Sequence, residues 1–461
     1  MSSLRNKFAV AFHKPYDLSI ASNRALERQR RIALTSLTAI IYKVISSAIP
    51  LITLKITYSY LGVEVYGLWS AVTNFFALFA FSDLGLGNGL QTMLSHASGK
   101  DDLEQSKILV SSTYWVLWVV AAILLSVFII AYPIVDWAHL MNATQQETIK
   151  LAAPVVFVIV LPKILSIPVA IISRTQLALQ EGYNSNVWGI VGSLLSLIFI
   201  VLCAHFDFGK IWLLLGSSVI PLIISILNMV VYYGYQRRDL CLSYKYVKKD
   251  TIKSLLQLGI SFFFLSILTT VGLSMDTFIV AKTCSLSDAA SFSVIYKMSI
   301  VISSVLAIFC QPLWGANGEA IARGEYEWVR TNTQRMSRAL TVITIIGSVL
   351  FVALSKIIFK IWLGPEFEFS IICLTFLCAI QVAQAFISPY FMFLNAVGIV
   401  RFQLLLFGIY TPLSFILKFY MARIYGSTAI PATGLLLYVI IIVIFSVIIA
   451  RRTLKKLSSN E

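Results

Sequence analysis

Long apolar stretches recur along almost the entire chain and are separated by short polar segments. A helix that crosses a lipid bilayer needs about 20 consecutive, mostly apolar residues. The apolar runs are continuous and do not alternate with polar positions, so the pattern argues against a membrane β-barrel. It predicts twelve membrane-spanning helices, near residues 34–57, 65–90, 108–131, 149–173, 186–204, 211–233, 254–281, 290–314, 338–356, 369–394, 403–422 and 432–450.

Lysine and arginine are concentrated in alternate polar segments, and this asymmetry predicts the orientation in the membrane. The basic segments are residues 1–33, 234–253, 315–337 and 451–461. Segments next to spans that are rich in Lys and Arg stay in the cytoplasm. Both termini are therefore predicted to be cytoplasmic, which requires an even number of spans, and twelve satisfies this requirement.

The basic linker at the midpoint separates six predicted spans from six others. Many transporters consist of two such halves, with the substrate site between them. The predicted organisation is a basic cytoplasmic N-terminus (1–33), an N-lobe of six transmembrane helices (34–233), a cytoplasmic linker (234–253), a C-lobe of six transmembrane helices (254–450) and a cytoplasmic tail (451–461). The largest loop is predicted at 315–337, where it contains a short amphipathic helix.

The composition excludes several classes of protein. Of the 461 residues, 58% are hydrophobic and only 12% are charged, whereas a soluble domain has about 25% charged residues. The net charge of +15 follows from the cytoplasmic Lys and Arg residues, so no nucleic-acid partner is predicted. The six cysteines show no CxxC spacing, which disfavours a metal site. The first apolar run is too long for a signal peptide and is expected to remain as an anchor.

Ionisable side chains inside the predicted spans are the first candidate site residues, because a charge in hydrocarbon is costly and normally faces a cavity. Lys43 and Lys163 lie near the middle of their spans, given the rise per residue of a helix. Asp276 and Lys297 lie at similar depth on neighbouring spans. An ion pair between them would lower the cost of burying both charges.

Further candidates lie nearer to span ends or on uncharged faces. Asp83 and Lys418 either line the same cavity or extend to the membrane interface. Gln381 and Gln384 recur at helical spacing on the tenth span. They either contact sugar hydroxyls in a hydrophilic lumen or form hydrogen bonds between helices. Together the charged and amide candidates predict a cationic, partly polar cavity that attracts phosphate or carboxylate groups.

The segment 60–90 reads YLGVEVYGLWSAVTNFFALFAFSDLGLGNGL. Its YLG and YGLW groups (residues 60–62 and 66–69) and its DLGLG turn (residues 83–87) resemble the start of bacterial polysaccharide flippases of the O-antigen, Wzx type. These proteins belong to the multidrug/oligosaccharidyl-lipid/polysaccharide exporter superfamily. The resemblance implies an all-α polytopic membrane protein with about twelve transmembrane helices in two six-helix lobes, arranged as a MATE-like V with both termini cytoplasmic.

The same resemblance implies transport in the bacterial inner (plasma) membrane. Such proteins translocate an oligosaccharide repeat unit carried on undecaprenyl pyrophosphate from the cytoplasmic to the periplasmic leaflet, by alternating access coupled to an H+ or Na+ gradient. The implied partners are the lipid-linked oligosaccharide, membrane lipids, a polysaccharide polymerase and a chain-length regulator, with no nucleic acid and no cofactor besides the coupling ion. Physically, a cationic lumen would replace the water that solvates the pyrophosphate.

Two other classes of protein are alternatives to a flippase. An enzyme is disfavoured because the chain has no nucleophile–base pattern, no DxD motif and no nucleotide-binding loop. A MATE-like antiporter for drugs or small solutes is the stronger alternative. Lys43 argues against it, since extruders often carry an acidic residue in the first span for cation coupling.

Overall fold

The structure is a computed structural model of the chain, and it describes residues 16, 21–62, 65–66, 68–69, 72–73, 83–140, 145–284, 286–363 and 368–458. Over these residues every regular element is a helix and no strand occurs. Within the same part of the chain, ten helices are long and apolar enough to cross a membrane. The chain is therefore an all-α, multi-pass membrane protein, as predicted. Nearly half of the predicted span at 65–90 lies outside the described residues.

The chain divides into two compact units, Met1–Ile260 and Ser261–Glu461. The helices of the first unit are α1 (Ala21–Leu61), α2 (Leu86–Gly99), α3 (Leu103–Ile134), α4 (Trp137–Leu140), α5 (Gln146–Val169), α6 (Ile171–Ala178), α7 (Gly182–His205) and α8 (Lys210–Val231). Helix α8 continues as a π-helical turn (Tyr232–Gln236), and two short 3-10 turns follow (Arg238–Leu240 and Tyr244–Tyr246).

Helix α9 (Lys249–Ser274) runs from the first unit into the second. The helices that follow it are α10 (Asp276–Thr283), α11 (Leu286–Ala322), α12 (Tyr326–Leu363), α13 (Ile371–Val397), α14 (Val400–Tyr425), α15 (Ala429–Leu437) and α16 (Ile444–Ser458), with a π-helical turn (Tyr438–Val443) joining the last two.

Apolar side chains cover both the inner and the outer faces of these helices. In the first unit Val110, Val155 and Leu214 of α3, α5 and α8 are completely buried in one core. Large apolar side chains such as Ile130 and Val349 are more than half exposed on the outer faces. Exposed apolar surface on this scale is unfavourable in water, and it is the surface that a lipid bilayer covers.

Local sequence signals account for several helix ends. Asp102 precedes α3, and its side chain accepts the backbone N–H of Gln105 at 2.9 Å, as an N-cap residue does. Helix α5 ends at Val169, directly after Pro168, and α6 starts at Ile171. Pro168 is one of three prolines inside α5, and each removes a backbone donor from the helix.

Four of the basic residues before the first predicted span, Arg24, Arg28, Arg30 and Arg31, lie in the opening turns of α1. Glu27 is only 2% exposed. Its carboxylate accepts hydrogen bonds from Arg30 at 2.7 Å and from Arg31 at 2.9 Å. Arg31 also donates to the backbone carbonyl of Leu179 at 3.2 Å. These contacts hold the start of α1 against the end of α6.

Residues 315–337 are mostly helical, but they do not form a separate loop with a short helix of its own, as was predicted. Helix α11 continues to Ala322 and α12 starts at Tyr326, so only a short turn separates the two helices. Gly324 has a φ of 78°, and the backbone N–H groups of Gly324 and Glu325 donate back into the last turn of α11. This Schellman arrangement ends helices at a glycine, and the charged residues around it continue the helices on either side.

The linker between the two predicted halves packs against the first unit. The backbone N–H groups of Ser243 and Lys248 donate to serine hydroxyls of α3, both at 3.3 Å. Arg237 donates to Asp239 at 2.9 Å, and this hydrogen bond lowers the pKa of the Asp239 carboxyl. The linker is thus tied to the first unit by specific hydrogen bonds as well as by the chain itself.

Asp83 belongs to a tight turn ahead of α2 that packs against α9. Its carboxylate oxygens accept the backbone N–H groups of Gly85 and Gly87 at 3.0 and 3.3 Å. Leu84 and Gly85 both have positive φ, 51° and 71°. A Cβ atom at Gly259 would lie 3.2 Å from the carbonyl oxygen of Leu84. Glycine at position 259 therefore allows the two backbones to approach closely.

We predict that Gly259→Leu lowers the stability of the protein by about 1–3 kcal/mol, because added side-chain atoms overfill this contact. Gly408→Leu is the matched control, since a Cβ atom at this exposed glycine would have no other atom within 4 Å. The control should be neutral or stabilising, because leucine favours helix more than glycine does. Thermal unfolding of the purified protein measures both, and equal melting temperatures would contradict the predicted close contact.

Candidate functional site

A cavity of about 180 Å³ in the second unit brings together four of the eight predicted site residues. It lies among α9, α10, α11, α13 and α14, and we name it the ion-pair cavity. Its polar lining is Asp276, Gln381, Gln384 and Lys418, joined by Tyr296 and Tyr410. The rest of the lining is apolar, so the polar groups converge in surroundings that contain few other partners.

Asp276 and Lys418 form a buried ion pair in this cavity. The Nζ atom of Lys418 donates to Oδ1 of Asp276 at 2.6 Å, and the side chains of Lys418 and Asp276 are only 2% and 4% exposed. Lys418 therefore does not extend to the membrane interface, which was one of its two predicted positions. Burying either charge alone would be much more costly than burying the pair.

The predicted pairing of Asp276 with Lys297 is wrong. Lys297 is exposed on α11, while Asp276 contacts Lys418. Depth along a helix can be read from the sequence, but the direction of a side chain around the helix axis depends on packing. The predicted span 254–281 is also interrupted at Met275, so Asp276 starts a new helix.

Two local features favour the ion pair. Asp276 lies in the first turn of α10, where the helix dipole stabilises a negative charge. Gly434 of α15 leaves room for the lysine, since a Cβ atom there would lie 2.7 Å from Cε of Lys418. The pair thus depends on a helix break and on a glycine that come from different parts of the second unit.

The amide side chains of α13, which are Gln381, Gln384 and Asn395, have two different roles. Gln381 is 3% exposed and lines the ion-pair cavity, and its Oε1 atom has no hydrogen-bond partner among the described residues. Asn395 accepts a hydrogen bond from Gln403 of α14 at 2.8 Å. The sequence left two roles open for these amides, lining a polar cavity or forming hydrogen bonds between helices. Gln381 has the first role, and Asn395 has the second.

The first unit contains two adjoining cavities. The Lys163 cavity has a volume of about 370 Å³, and the serine cavity has a volume of about 560 Å³. They share Trp69, Ser217 and Ser225 in their linings. Lys163 is half-buried, and it is the one charged side chain in either lining within the described part of the chain.

Hydroxyl groups dominate the polar surface of the serine cavity. Ser46, Ser173 and Ser217 donate to backbone carbonyls of their own helices, which leaves their oxygen lone pairs free to accept. Ser196 is 8% exposed, and its hydroxyl has no hydrogen-bond partner in the described structure. The aromatic ring of Tyr42 lies on the same lining. Trp69 and Trp188 lie there too, so the cavity is uncharged, rich in acceptors and bordered by aromatic rings.

The two other predicted residues of the first unit lie elsewhere. Lys43 is exposed on α1, although its neighbour Tyr42 lines the serine cavity. Asp83 accepts two backbone N–H groups ahead of α2. A Cβ atom at Gly87 would lie 2.9 Å from Asp83 and 3.2 Å from Nε of Arg174, so the carboxylate and this guanidinium are close. The DLGLG motif thus builds a turn.

The serine cavity was missed by sequence reasoning, although a signal was present. On α7, Ser185, Ser193 and Ser196 recur at intervals that place them on one helix face, and Ser217, Ser225 and Asn228 do the same on α8. Serine is frequent between membrane helices for packing reasons alone. The stripes become a candidate site only because the two faces meet around one open space.

Comparison with known proteins identifies relatives in sequence. A family model described as "Polysaccharide biosynthesis protein" matches residues 35–313. A protein of Yersinia pseudotuberculosis named for O-antigen export is 20% identical over 369 residues, which cover 77% of this chain and 81% of that one. A protein of Salmonella typhi named as an O-antigen transporter is 21% identical over 342 residues, 72% of each chain.

Solved structures identify the fold. An outward-facing multidrug resistance transporter of the MATE family and MOP superfamily has a TM-score of 0.77 at 12% identity, over 94% of this chain and 97% of that one. A MOP superfamily transporter from Pyrococcus furiosus, described as having a binding pocket of reverse polarity, has a TM-score of 0.75 at 13% identity, over 98% of both chains. The chain therefore has a MATE-like fold.

We predict that Lys418→Met lowers the stability by about 3–5 kcal/mol, because it leaves the Asp276 charge buried without a partner. Asp276→Asn combined with Lys418→Met should recover most of the loss. Glu147→Gln is the matched control: Glu147 pairs with Lys210 at the same 2.6 Å, but the side chains are 29% (Lys210) and 56% (Glu147) exposed. Exposed pairs contribute about 0–1 kcal/mol. Thermal unfolding measures all three, and a small loss in Lys418→Met would contradict the buried pair.

Proposed function

Because the chain belongs to the polysaccharide biosynthesis protein family, we propose that it is a flippase for an undecaprenyl-pyrophosphate-linked oligosaccharide. The oligosaccharide is an O-antigen or related repeat unit, and it moves from the cytoplasmic to the periplasmic leaflet by alternating access, coupled to an ion gradient. The O-antigen export and transport proteins of Yersinia pseudotuberculosis and Salmonella typhi support this substrate class.

The serine cavity is the observation that carries the proposal. Its lining offers hydroxyl oxygens that accept hydrogen bonds, and no Asp or Glu occurs among its described lining residues. Sugar hydroxyls are neutral donors and acceptors, so they match such a surface without introducing a charge. Ser196 supplies a buried hydroxyl that lacks a partner among the described residues, and a bound sugar would satisfy it.

Lys163 provides the complementary charge for the pyrophosphate. It lines the cavity that adjoins the serine cavity, together with the hydroxyls of Ser166 and Ser218. A pyrophosphate cannot enter hydrocarbon unaided, because each charge would lose its hydration. An ammonium group with hydroxyls nearby replaces part of that hydration, since hydrogen bonds between charged partners are the strong ones.

The membrane arrangement belongs to the same proposal. We infer twelve spans with both termini in the cytoplasm of a bacterial inner membrane, since the basic segments follow the positive-inside rule and MATE-like folds match nearly the whole chain. The lipid tail remains in the bilayer while the head group crosses. No bond is made or broken in this process, so the protein is not an enzyme, and its partners are the polymerase and the chain-length regulator that act on the flipped product.

A MATE-like antiporter of drugs or small solutes is the second candidate, and the fold favours it. Organic cations need a negative or strongly aromatic site. Neither cavity of the first unit has a described carboxylate in its lining, and the one charge present there is the ammonium of Lys163. The serine cavity does contain aromatic rings that suit a cation, those of Tyr42, Trp69 and Trp188, so the flippase is favoured by the lack of a described carboxylate and by the Lys163 ammonium.

Gene deletion distinguishes the two functions. Loss of the flippase leaves lipid-linked repeat units on the cytoplasmic leaflet and removes the corresponding surface polysaccharide. Loss of an antiporter lowers the efflux of dyes and leaves the surface polysaccharide unchanged. Normal polysaccharide in the deletion strain would overturn the flippase proposal, and complementation with the intact gene controls for effects on neighbouring genes.

We predict that Lys163→Ala lowers flipping about tenfold or more, the effect of losing a charged hydrogen bond of roughly 2 kcal/mol. Lys163→Arg should retain part of the activity, because the charge remains. Lys210→Ala is the control, since Lys210 lies outside both cavity linings and pairs with Glu147 at an exposed site. Surface polysaccharide and membrane protein level are measured together. Full activity of Lys163→Ala would show that this ammonium does not bind the substrate.

We predict that Ser196→Val lowers flipping about fivefold, because it removes a hydroxyl worth about 1 kcal/mol to a bound sugar. Ser126→Val is the control at an exposed serine whose hydroxyl bonds only to its own helix in the described structure. Both variants keep a side chain of similar size, so membrane levels should be equal. A decrease in the Ser126 variant of the same extent would mean that serine loss acts through folding.

A further inference from the structure

The buried pair of Asp276 and Lys418 has no part in binding sugar in the function proposed above. The two side chains meet at 2.6 Å, and the pair borders a cavity of about 180 Å³. Replacing a buried ion pair by apolar side chains is often neutral or stabilising, so stability alone does not explain it. Ionisable residues inside membrane proteins commonly belong to ion or proton pathways.

Gln381 shares this cavity and has an unsatisfied acceptor. Its side chain is 3% exposed, and Oε1 has no hydrogen-bond partner among the described residues. A buried acceptor without a donor is unfavourable. A neutral carboxylic acid has an O–H donor, whereas a carboxylate has none. Asp276 is the one carboxyl group in the described lining of the cavity, so its protonation would supply the missing donor.

We propose that Asp276 binds the proton that drives transport. Lys418 is its counter-ion in the deprotonated state, and Gln381 accepts the hydrogen bond of the protonated state. In this step a hydronium ion gives its proton to a carboxylate oxygen of Asp276 and leaves as water, and the Lys418 ammonium leaves the ion pair. Return of that proton to water on the other side of the membrane restores the ion pair. The inference rests on the transport function proposed above and names its coupling site.

The released ammonium links proton uptake to the anionic substrate. Once Asp276 is neutral, Lys418 is a buried charge without a counter-charge, which is unfavourable. A pyrophosphate oxygen that approaches Lys418 restores neutrality. By thermodynamic linkage, anion binding then raises the proton affinity of Asp276 by the same factor as protonation raises the anion affinity.

Apart from Lys418, the titratable groups around this carboxylate are neutral. Lys418 and Tyr410 come from α14, Tyr296 comes from α11, and the Cys373 thiol of α13 lies within electrostatic reach. Helix α15 contributes Gly434 and no ionisable residue. Tyrosine and cysteine are normally neutral at physiological pH. Among the described residues, Lys418 is therefore the charge that decides whether the carboxyl group holds a proton.

Sodium fits the site less well than a proton does. The Nζ atom of Lys418 already lies 2.6 Å from the Asp276 carboxylate, where a metal ion would coordinate. Adding sodium would place two positive charges on one carboxylate, and their repulsion is strong in a medium of low dielectric constant. A proton needs no shell of ligands, and the cavity already holds an acceptor for it. We therefore expect H+ to be the coupling ion.

Infrared difference spectroscopy on the full chain in lipid tests the site without any substrate. Lowering the pH should produce the carbonyl band of a protonated, buried carboxylic acid. The band should vanish in Asp276→Asn and should shift in Gln381→Met, which removes its hydrogen-bond acceptor. Glu147→Gln, the exposed carboxylate of a pair with the same 2.6 Å separation, should leave the band unchanged.

The pH midpoint of this band and its dependence on sodium test whether Asp276 binds the coupling proton. The band should keep its pH midpoint when sodium replaces potassium at constant ionic strength. A sodium-dependent midpoint, or no Asp276-dependent band at any pH at which the protein stays folded, overturns the proposal. If Asp276→Asn fails to fold because Lys418 is left alone, Asp276→Asn with Lys418→Met replaces it, and Gln381→Met provides a readout in the intact pair.

A transport assay separates this proposal from the function on which it rests. Vesicles that contain the protein and fluorescently labelled undecaprenyl-pyrophosphoryl N-acetylglucosamine are given a pH gradient or a sodium gradient. Wild type should respond to the pH gradient only, and the double variant should lose that response. Flipping driven by sodium alone would overturn the proposed proton site and would still support the flippase function. If Asp276 titrates in the infrared spectrum but no flipping occurs, the flippase function is overturned, while Asp276 is still shown to bind a proton.

Discussion

A hydrocarbon environment supplies no hydrogen bonds, and this constraint governs the whole molecule. Each backbone polar group must find its partner inside the chain, so the described residues form helices throughout. Each polar side chain within the apolar shell must likewise pair, face a cavity or reach the surface. The buried contact between Lys418 and Asp276 is the strictest case, because both charges lose their hydration and, among the described residues, each is the other's one charged partner.

The two units meet this constraint in different ways. The second unit keeps opposite charges together around a small cavity, at the start of α10 and beside Gly434. The first unit avoids charge in its larger cavity and lines it with hydroxyl groups, with Lys163 next to it. A saccharide with an anionic anchor needs both a neutral, hydrogen-bonding surface and a positive charge. An ion-driven transporter also needs a group that exchanges a proton. In the proposed mechanism the first unit binds the sugar, while Asp276 of the second unit exchanges the proton and its counter-ion Lys418 responds to the anion.

Several features of the fold could be predicted because they depend on local chemistry. The helical class and the multi-pass character follow from long apolar runs, and the resemblance in residues 60–90 pointed to the family that the match at 35–313 supports. The separate loop predicted at 315–337 was wrong because apolar runs delimit the spans, whereas the helices themselves continue past those runs. In the structure, Gly324 alone turns the chain, since a residue with positive φ ends a helix regardless of the charges around it.

The sequence by itself determined that this chain lies in a membrane, and it identified Asp276, Lys418, Gln381 and Gln384 as polar groups that need an explanation. Only the tertiary structure decided that these four meet in one cavity, that Lys418 and not Lys297 is the partner of Asp276, and that serines of α7 and α8 enclose an open space. The reason is geometric. Hydropathy indicates how deep in the membrane a residue lies along its helix. Which residue it contacts depends on the direction of its side chain, and the packing of distant segments sets that direction.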